Sequence, residues 1–349
     1  MLTAMLRRAG WSIDAAMYEV GPSYAWILAE AARHGVRVRL LLDDHASGGN
    51  ASTAHEVTRA GGECRVLERG STSSHWKLLI VDGATVAVGT GNLIWRDAPR
   101  DPHRKLPPQA GALSGTREWW ALASEAPRLA VDAAQAFDTA WHRARPPLRR
   151  GPVTPGIAPG GVGAPRPQVA PLTLDVAERR LRLVVGGLPV ALTLAGLIDR
   201  SQGRALVIAP YAHPRAAAVR ALIAGLRGAV SRGVDARLLL GTFPESLELA
   251  GLHRSGVPVR CMDPASSTRG HAKGLVADDV AVVASANWSG AGCGGNWEAA
   301  LVARVAPAAA YFADAWERDW AAAEQPAPRV WGIPGADMLR PCSPWTIHR

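Results

Sequence analysis

Two short stretches of the chain carry residue types suited to attack on a phosphate ester. The first sets His75 and Lys77 two residues apart and follows them with Asp82, Gly89 and Asn92. The second repeats the order as His271, Lys273, Asp278, Ser285 and Asn287. A histidine works near neutral pH as nucleophile or as general acid–base. A lysine and an amide beside it hold non-bridging phosphoryl oxygens as negative charge develops. Two such sets let one imidazole attack while the other protonates the leaving group. That division requires the two imidazoles to hold different protonation states at one pH. The chain has 39 Lys and Arg, yet only Lys77, Lys105 and Lys273 are lysines. Arginine supplies positive charge nearly everywhere else, so a retained lysine marks a site that a guanidinium does not suit. A lone histidine on an apolar strand is usually structural; two matching copies reverse those odds.

The elements that position these residues are legible around them. KLLIV (77–81) and KGLVA (273–277) read as strands, so each His–Lys pair shares one face and Trp76 points to the other, into the core. Asp82–Gly83 and Asp278–Asp279 read as hairpin turns, and TVAV and VAVV as return strands. Each hairpin then brings its asparagine back beside its histidine and lysine. The surroundings repeat as well. HGVRVRLLLDD (34–44) matches RGVDARLLLG (232–241), GGECRVLE (61–68) matches GVPVRCMD (256–263), and FDTAW (137–141) matches FADAW (312–316). Apolar β-type runs separated by Ala/Leu-rich helical runs predict βαβ units and an α/β sandwich in each half.

The second half opens with LRLVV (181–185), then a helix near 190–200, then a strand at 205–210. The first half opens directly in the equivalent of that helix, so its leading strand is missing. We read this as a miscalled start or a fragment. The compartment stays open on this reading: cytoplasmic as written, secreted if a leader precedes. Residues 145–171 contain 13 Pro or Gly in 27 positions and four arginines. They predict a linker. The expected organisation is a first lobe at 1–144, the linker at 145–171, a second lobe at 172–323 and a tail at 324–349.

Composition sets outer limits. With 48% hydrophobic and 20% charged residues, the chain can bury a core and is not globally disordered. No apolar run reaches the ~18 residues of a membrane span. The net charge of +9 favours anionic partners without choosing among them, and the linker holds four of those charges. No pair among Cys64, Cys261, Cys293 and Cys342 has CxxC spacing, and no Asp/Glu/His group has ligand-like spacing, so no metal or other cofactor is expected.

The two motifs resemble those of the phospholipase D superfamily, H-x-K-x4-D followed by G-[ST]-x-N. Here they read H75-W-K77-LLIV-D82 with G89-T-G-N92, and H271-A-K273-GLVA-D278 with A284-S-A-N287. The resemblance implies two α/β/α lobes forming a pseudo-dimer with one site at their interface. It implies metal-independent displacement through a phosphohistidine, with His75 attacking and His271 protonating the leaving group. Lys77, Lys273, Asn92 and Asn287 would bind phosphoryl oxygens, and Asp82 and Asp278 would organise the turns. An acidic residue after each motif would orient a histidine; Glu118 and Glu298 occupy those places, with exposed helix-start glutamates as the alternative reading. The second copy departs from the pattern at Ala284, and by one residue fewer after Asp278, which a tighter turn explains.

The segment between Asn92 and Glu118 is longer than its counterpart and carries Arg96, Arg100, Arg104 and Lys105 as candidate substrate contacts. The expected substrate is a phosphodiester, either phospholipid or nucleic acid. Phospholipid headgroup hydrolysis to phosphatidate is the first reading. Nuclease is the alternative, followed by phosphatidyl transfer of the cardiolipin synthase type and by a non-catalytic binding module. Peripheral membrane contact fits the lipid reading. Two motifs in one chain make a monomer with an internal pseudo-dimer the expected form.

Overall fold

Continuous apolar runs become central strands and alternating runs become outer ones. In the first lobe Ser12–Met17 (β1) and Lys77–Val81 (β4) are buried along their whole length. Arg37–Asp43 (β2) and Glu63–Leu67 (β3) alternate between exposed and buried at their starts. With Thr85–Gly89 (β5), Thr116–Arg117 (β6) and Trp120–Ala123 (β7), these strands come from a computed structural model. It describes residues 1–44, 49–67, 72–94, 97, 116–147, 172–242, 252, 254–262 and 269–324. The first sheet has the order β3-β2-β1-β4-β5-β7. Strands β1, β2 and β3 run parallel; β4, β5 and β7 join antiparallel.

The second lobe repeats this plan. Its strands are Leu181–Val185 (β8), Arg204–Ala209 (β9), Asp235–Leu240 (β10), Val259–Cys261 (β11), Arg269–Gly270 (β12), Gly274–Ala277 (β13), Val280–Ala284 (β14) and Ala299–Arg304 (β15). The order β11-β10-β9-β13-β14-β15-β8 matches the first sheet with one strand added. The added strand is β8, which pairs antiparallel with β15. Among the described residues, the first sheet has no strand in that place.

Helices cover both faces of each sheet, giving two α/β/α lobes. In the first lobe these are Leu2–Arg7 (α1), Pro22–Arg33 (α2), Gly49–Arg59 (α3) and Pro127–Arg143 (α4). In the second they are Gly187–Arg200 (α5), Ala217–Ser231 (α6) and Ala306–Ala322 (α7). Pro22 and Pro127 open α2 and α4, where the missing N–H costs nothing and φ is already helical. One face of each sheet is sealed within its own lobe: Ile27, Leu28 and Val57 close over Ala15, Leu40 and Leu79. The other face is shared. Phe137, Trp141 and Trp76 of the first lobe pack in one core with Ala299 and Leu301 of the second. Trp119 of the first lobe packs with Trp316 and Val283 of the second. The lobes are thus fused by apolar burial, which fixes the groups at their seam.

Cys64 and Cys261 are buried residues of β3 and β11, and Cys293 is buried as well. Most of the predicted linker (148–171), most of the tail (325–349), Cys342, and the candidate contacts Arg96, Arg100, Arg104 and Lys105 lie outside the described residues. No helix among the described residues is long and apolar enough to cross a membrane.

Candidate active site

The motif aspartates tie each hairpin to a neighbouring strand. Asp82 sits at φ 52° and Asp278 at φ 50°. These are left-handed conformations that Asp tolerates better than most residues. The Asp82 carboxylate accepts N–H bonds from Gly10, Trp11 and Ser12 at 2.7–2.8 Å, where β1 begins. Asp278 does the same for Gln202, Gly203 and Arg204 at 2.8–3.0 Å, where β9 begins. Burial opposes the charge in each case. The backbone donors outweigh it and hold both carboxyls below their ordinary range. The turns differ by one residue: three residues separate β4 from β5 and two separate β13 from β14.

The histidines stand just before the hairpin strands rather than on them. Strand β4 begins at Lys77, and β13 begins at Gly274, after Lys273. This corrects the reading of both HxK segments as strand. The chain there is still extended, but its partner lies in the other lobe. His75 donates its backbone N–H to Trp297 O at 2.9 Å, and His271 donates to Arg117 O at 3.0 Å. Strands β6 and β12 pair in parallel on this second arm.

This exchange decides which glutamate meets which histidine. Glu298, from the second lobe, lies 3.0 and 3.1 Å from His75 Nδ1. Glu118, from the first lobe, lies 2.6 Å from His271 Nδ1. Neither is an exposed helix-start residue: the side chains are 0% and 3% exposed and flank β15 and β7. Ser285 donates to Glu298 and Thr90 donates to Glu118, so each carboxylate is held by the hydroxyl two residues before the motif asparagine. Burial pushes both glutamates up, yet the facing histidines and lysines keep them low, Glu118 at about 2.

Burial pushes the His75 imidazole down to about 4, with Lys77 and Lys273 adding to the shift and Glu298 opposing it. Its Nε2 carries no hydrogen bond among the described residues. His271 is lowered by burial and by Lys273, whose Nζ lies 2.9 Å from both ring nitrogens. The lysines are almost wholly buried, which lowers Lys77 to about 8 and Lys273 to about 7. Lys77 Nζ donates to His75 O at 2.6 Å; Lys273 Nζ donates to His271 O at 2.6 Å and across the seam to Thr90 O at 2.9 Å. Glu298, Glu118, Asp97 and Asp43 favour the Lys77 ammonium, and Glu118, Asp97 and Glu298 that of Lys273, but burial outweighs them.

The asparagines do not hydrogen-bond their motif histidines or lysines among the described residues. Asn92 donates to Asp97 from its backbone N–H at 3.1 Å and from Nδ2 at 3.3 Å, and Asn287 meets the Tyr211 hydroxyl. In both asparagines Oδ1 is buried without a partner. Tyr18 directly follows β1, and Tyr211 stands one residue further along after β9. Tyr18 lies 5.2 Å from the His75 ring, with Lys77 Nζ 5.4 Å above its own ring. Sequence reading missed both tyrosines, which occupy neighbouring rather than equivalent positions of the two repeats. It also missed the grouping of Asp97, Glu118 and His271, whose ligand atoms lie within 4.8 Å of one another, because they are far apart in sequence. The Lys273 ammonium against the His271 ring competes with any cation there.

The structure accounts for Ala284. Its counterpart Gly89 pairs with Trp120, and a Cβ on Gly89 would come 2.4 Å from that ring. Ala284 instead pairs with Ala300. Gly89→Ala is therefore expected to cost about 1–3 kcal/mol through overpacking, while Ala284→Gly costs about 0.5–1 kcal/mol. Urea denaturation midpoints check this; equal losses would contradict it.

A family model described as "Cardiolipin synthase, PLD-like domain" matches residues 2–100 and 194–320, covering both histidine motifs. No curated protein matches the chain in sequence. Among solved structures, a phosphatidylserine synthase from Haemophilus influenzae matches with a TM-score of 0.63 and 14% identity, over 91% of this chain and 83% of that one. A polyphosphate kinase from Porphyromonas gingivalis matches with a TM-score of 0.58 and 14% identity over 91% of this chain; the chain spans 48% of that kinase. Nuc, a phospholipase D family member from Salmonella typhimurium, matches with a TM-score of 0.35 and 19% identity, over 42% of this chain and 87% of that one.

Proposed function

The chain belongs to the phospholipase D superfamily, and on that premise we propose that it cleaves a phospholipid phosphodiester through a phosphohistidine on His75, releasing the headgroup and leaving phosphatidate. The observation that carries this reading is the crossed pair of dyads, His75–Glu298 and His271–Glu118, closed over the seam between the lobes. With Nδ1 held by Glu298, the His75 lone pair sits on Nε2, neutral at physiological pH. That nitrogen attacks phosphorus. A P–N bond forms, the P–O bond to the headgroup breaks, and His271 supplies the proton the departing oxygen takes; Glu118 favours the protonated ring this needs, against burial and Lys273, which lower it. In the second step water attacks phosphorus, its proton passes to His271, and the P–N bond breaks. An alcohol in place of water gives transfer rather than hydrolysis. Lys77, Lys273, Asn92 and Asn287 bind the non-bridging oxygens. The description of the matching family supports the lipid as substrate class.

The ionisation of the site predicts a bell-shaped pH dependence of kcat/KM on a model diester such as bis(p-nitrophenyl) phosphate. The acid limb falls near pH 4, where His75 gains a proton and loses its lone pair. The alkaline limb begins near pH 7, as Lys273 and then Lys77 lose the charges that bind the substrate. Activity that stays level to pH 10 would show that these lysines keep their ordinary affinity for protons.

The reading is tested with the purified chain in EDTA, offered phosphatidylcholine vesicles, plasmid DNA, single-stranded DNA and the model diester. Choline release with phosphatidate as coproduct is the expected result. Faster cleavage of DNA moves the reading to a nuclease. Activity lost in EDTA and restored by a divalent ion assigns a metal to Asp97, Glu118 and His271. No cleavage of any diester overturns the catalytic reading.

A further inference from the structure

The two dyads are anchored by different physics. The residue before Glu298 is Trp297, whose backbone accepts from His75 and whose ring lies 5.4 Å from that of buried Trp76. That arm is held by apolar packing. The residue before Glu118 is Arg117, whose backbone accepts from His271. Its guanidinium donates to Asp319 Oδ1 at 2.6 Å. Asp319 lies on α7, 5% exposed, in a helix packed through Ala313 and Trp316 on the second sheet. Burial pushes the Asp319 carboxyl up and the Arg117 cation opposes this. Its Oδ2 has no partner among the described residues. The repeats align Phe137 with Phe312 and Trp141 with Trp316, which puts Ala144 where Asp319 stands. The first lobe therefore has no equivalent of this ion pair.

We propose that Asp319, acting through Arg117, is a positioning residue for the Glu118–His271 dyad and not for His75–Glu298. This rests on the assignment of His271 as the general acid. Arg117 spans the seam: its side chain is fixed by a helix of one lobe, while its backbone leads into the Glu118 of the other. Loss of this ion pair loosens the β6–β12 arm, and a displacement of about 1 Å at a proton donor slows transfer by about 100-fold.

The test compares kcat/KM on two leaving groups, because kcat/KM reports formation of the phosphoenzyme. Bis(p-nitrophenyl) phosphate loses a stable phenolate and needs no proton from His271. Short-chain phosphatidylcholine loses an alkoxide and does need one. For Asp319→Asn we expect kcat/KM within about twofold of wild type on the aryl ester and 10- to 100-fold lower on the lipid. Asp319→Glu is expected to recover part of the loss. Equal losses on both substrates, or no loss on either, overturn the proposal. If the thermal melt shows that Asp319→Asn does not fold, Arg117→Gln is read in the same way. A wild type that cleaves no diester overturns the catalytic reading and this proposal together. A wild type that cleaves both, with the variants impaired in equal proportion, overturns only this one.

Discussion

His75→Asn is expected to lower turnover of bis(p-nitrophenyl) phosphate by about 10⁴-fold or more, the loss that follows removal of a covalent nucleophile. Asparagine is smaller but keeps a polar N–H near the place of Nδ1, facing Glu298, so the buried carboxylate is not left bare. The lone pair that attacks phosphorus is lost, and the neighbouring lysines and asparagines offer no substitute at that position. His271→Asn should behave differently on the same substrate. Its first step proceeds, because nitrophenolate leaves unaided, and its second step stalls without a base for water. One equivalent of nitrophenol per chain, followed by slow turnover, is the expected signature. Stopped-flow absorbance separates the two variants. A burst from His75→Asn with none from His271→Asn would reverse the roles of the two histidines.

The second large effect comes from a residue of the opposite lobe. Glu298→Gln is expected to lower kcat by about 10²–10⁴-fold, as when the carboxylate that orients a catalytic imidazole becomes an amide. Glu298 fixes Nδ1 of His75 and thereby the tautomer that frees Nε2. An amide can present its NH₂ instead, which selects the wrong tautomer. The carboxylate also raises the His75 pKa against the effect of burial. Its removal moves the acid limb of the pH profile further down, so lowering the pH offers no rescue. Because Glu298 acts on His75, this variant slows phosphoenzyme formation even with an activated leaving group. Glu118→Gln, acting on His271, should slow that first step much less, through the support it withdraws from the Lys273 charge. Pre-steady-state rates on the aryl ester distinguish the two. An effect of Glu118→Gln on the first step equal to that of Glu298→Gln would mean that the dyads are not separate.

Much of this was legible in the order of residues, and the remainder was hidden for identifiable reasons. The doubled motif marks both hairpins because strand, turn and return strand are local. The same holds for the aspartates, whose turn position follows from spacing, although their ties to β1 and β9 span more than 70 residues. The glutamates were visible only as residues following each motif. That each serves the histidine of the other lobe depends on strand segments exchanged across the seam, between Ser74 and Trp297 on one side and between β6 and β12 on the other. No local pattern encodes that exchange. Nor does one encode Asp97 beside Glu118 and His271, or Asp319 beneath Arg117, since those contacts join segments far apart in the chain. Ala284 appeared in sequence as a departure from pattern and becomes intelligible only once Trp120 and Ala300 are seen opposite the two positions.

The central claim is a covalent phosphoryl bond to His75 in a site closed by both lobes. It is tested most directly by quenching the His271→Asn variant with bis(p-nitrophenyl) phosphate under alkaline conditions, which preserve phosphohistidine, and mapping the adduct by peptide mass spectrometry. The account predicts one acid-labile nitrophenylphosphoryl group per chain, on the peptide containing His75. An adduct on any other residue, or none in a protein whose wild type turns the ester over, would contradict it.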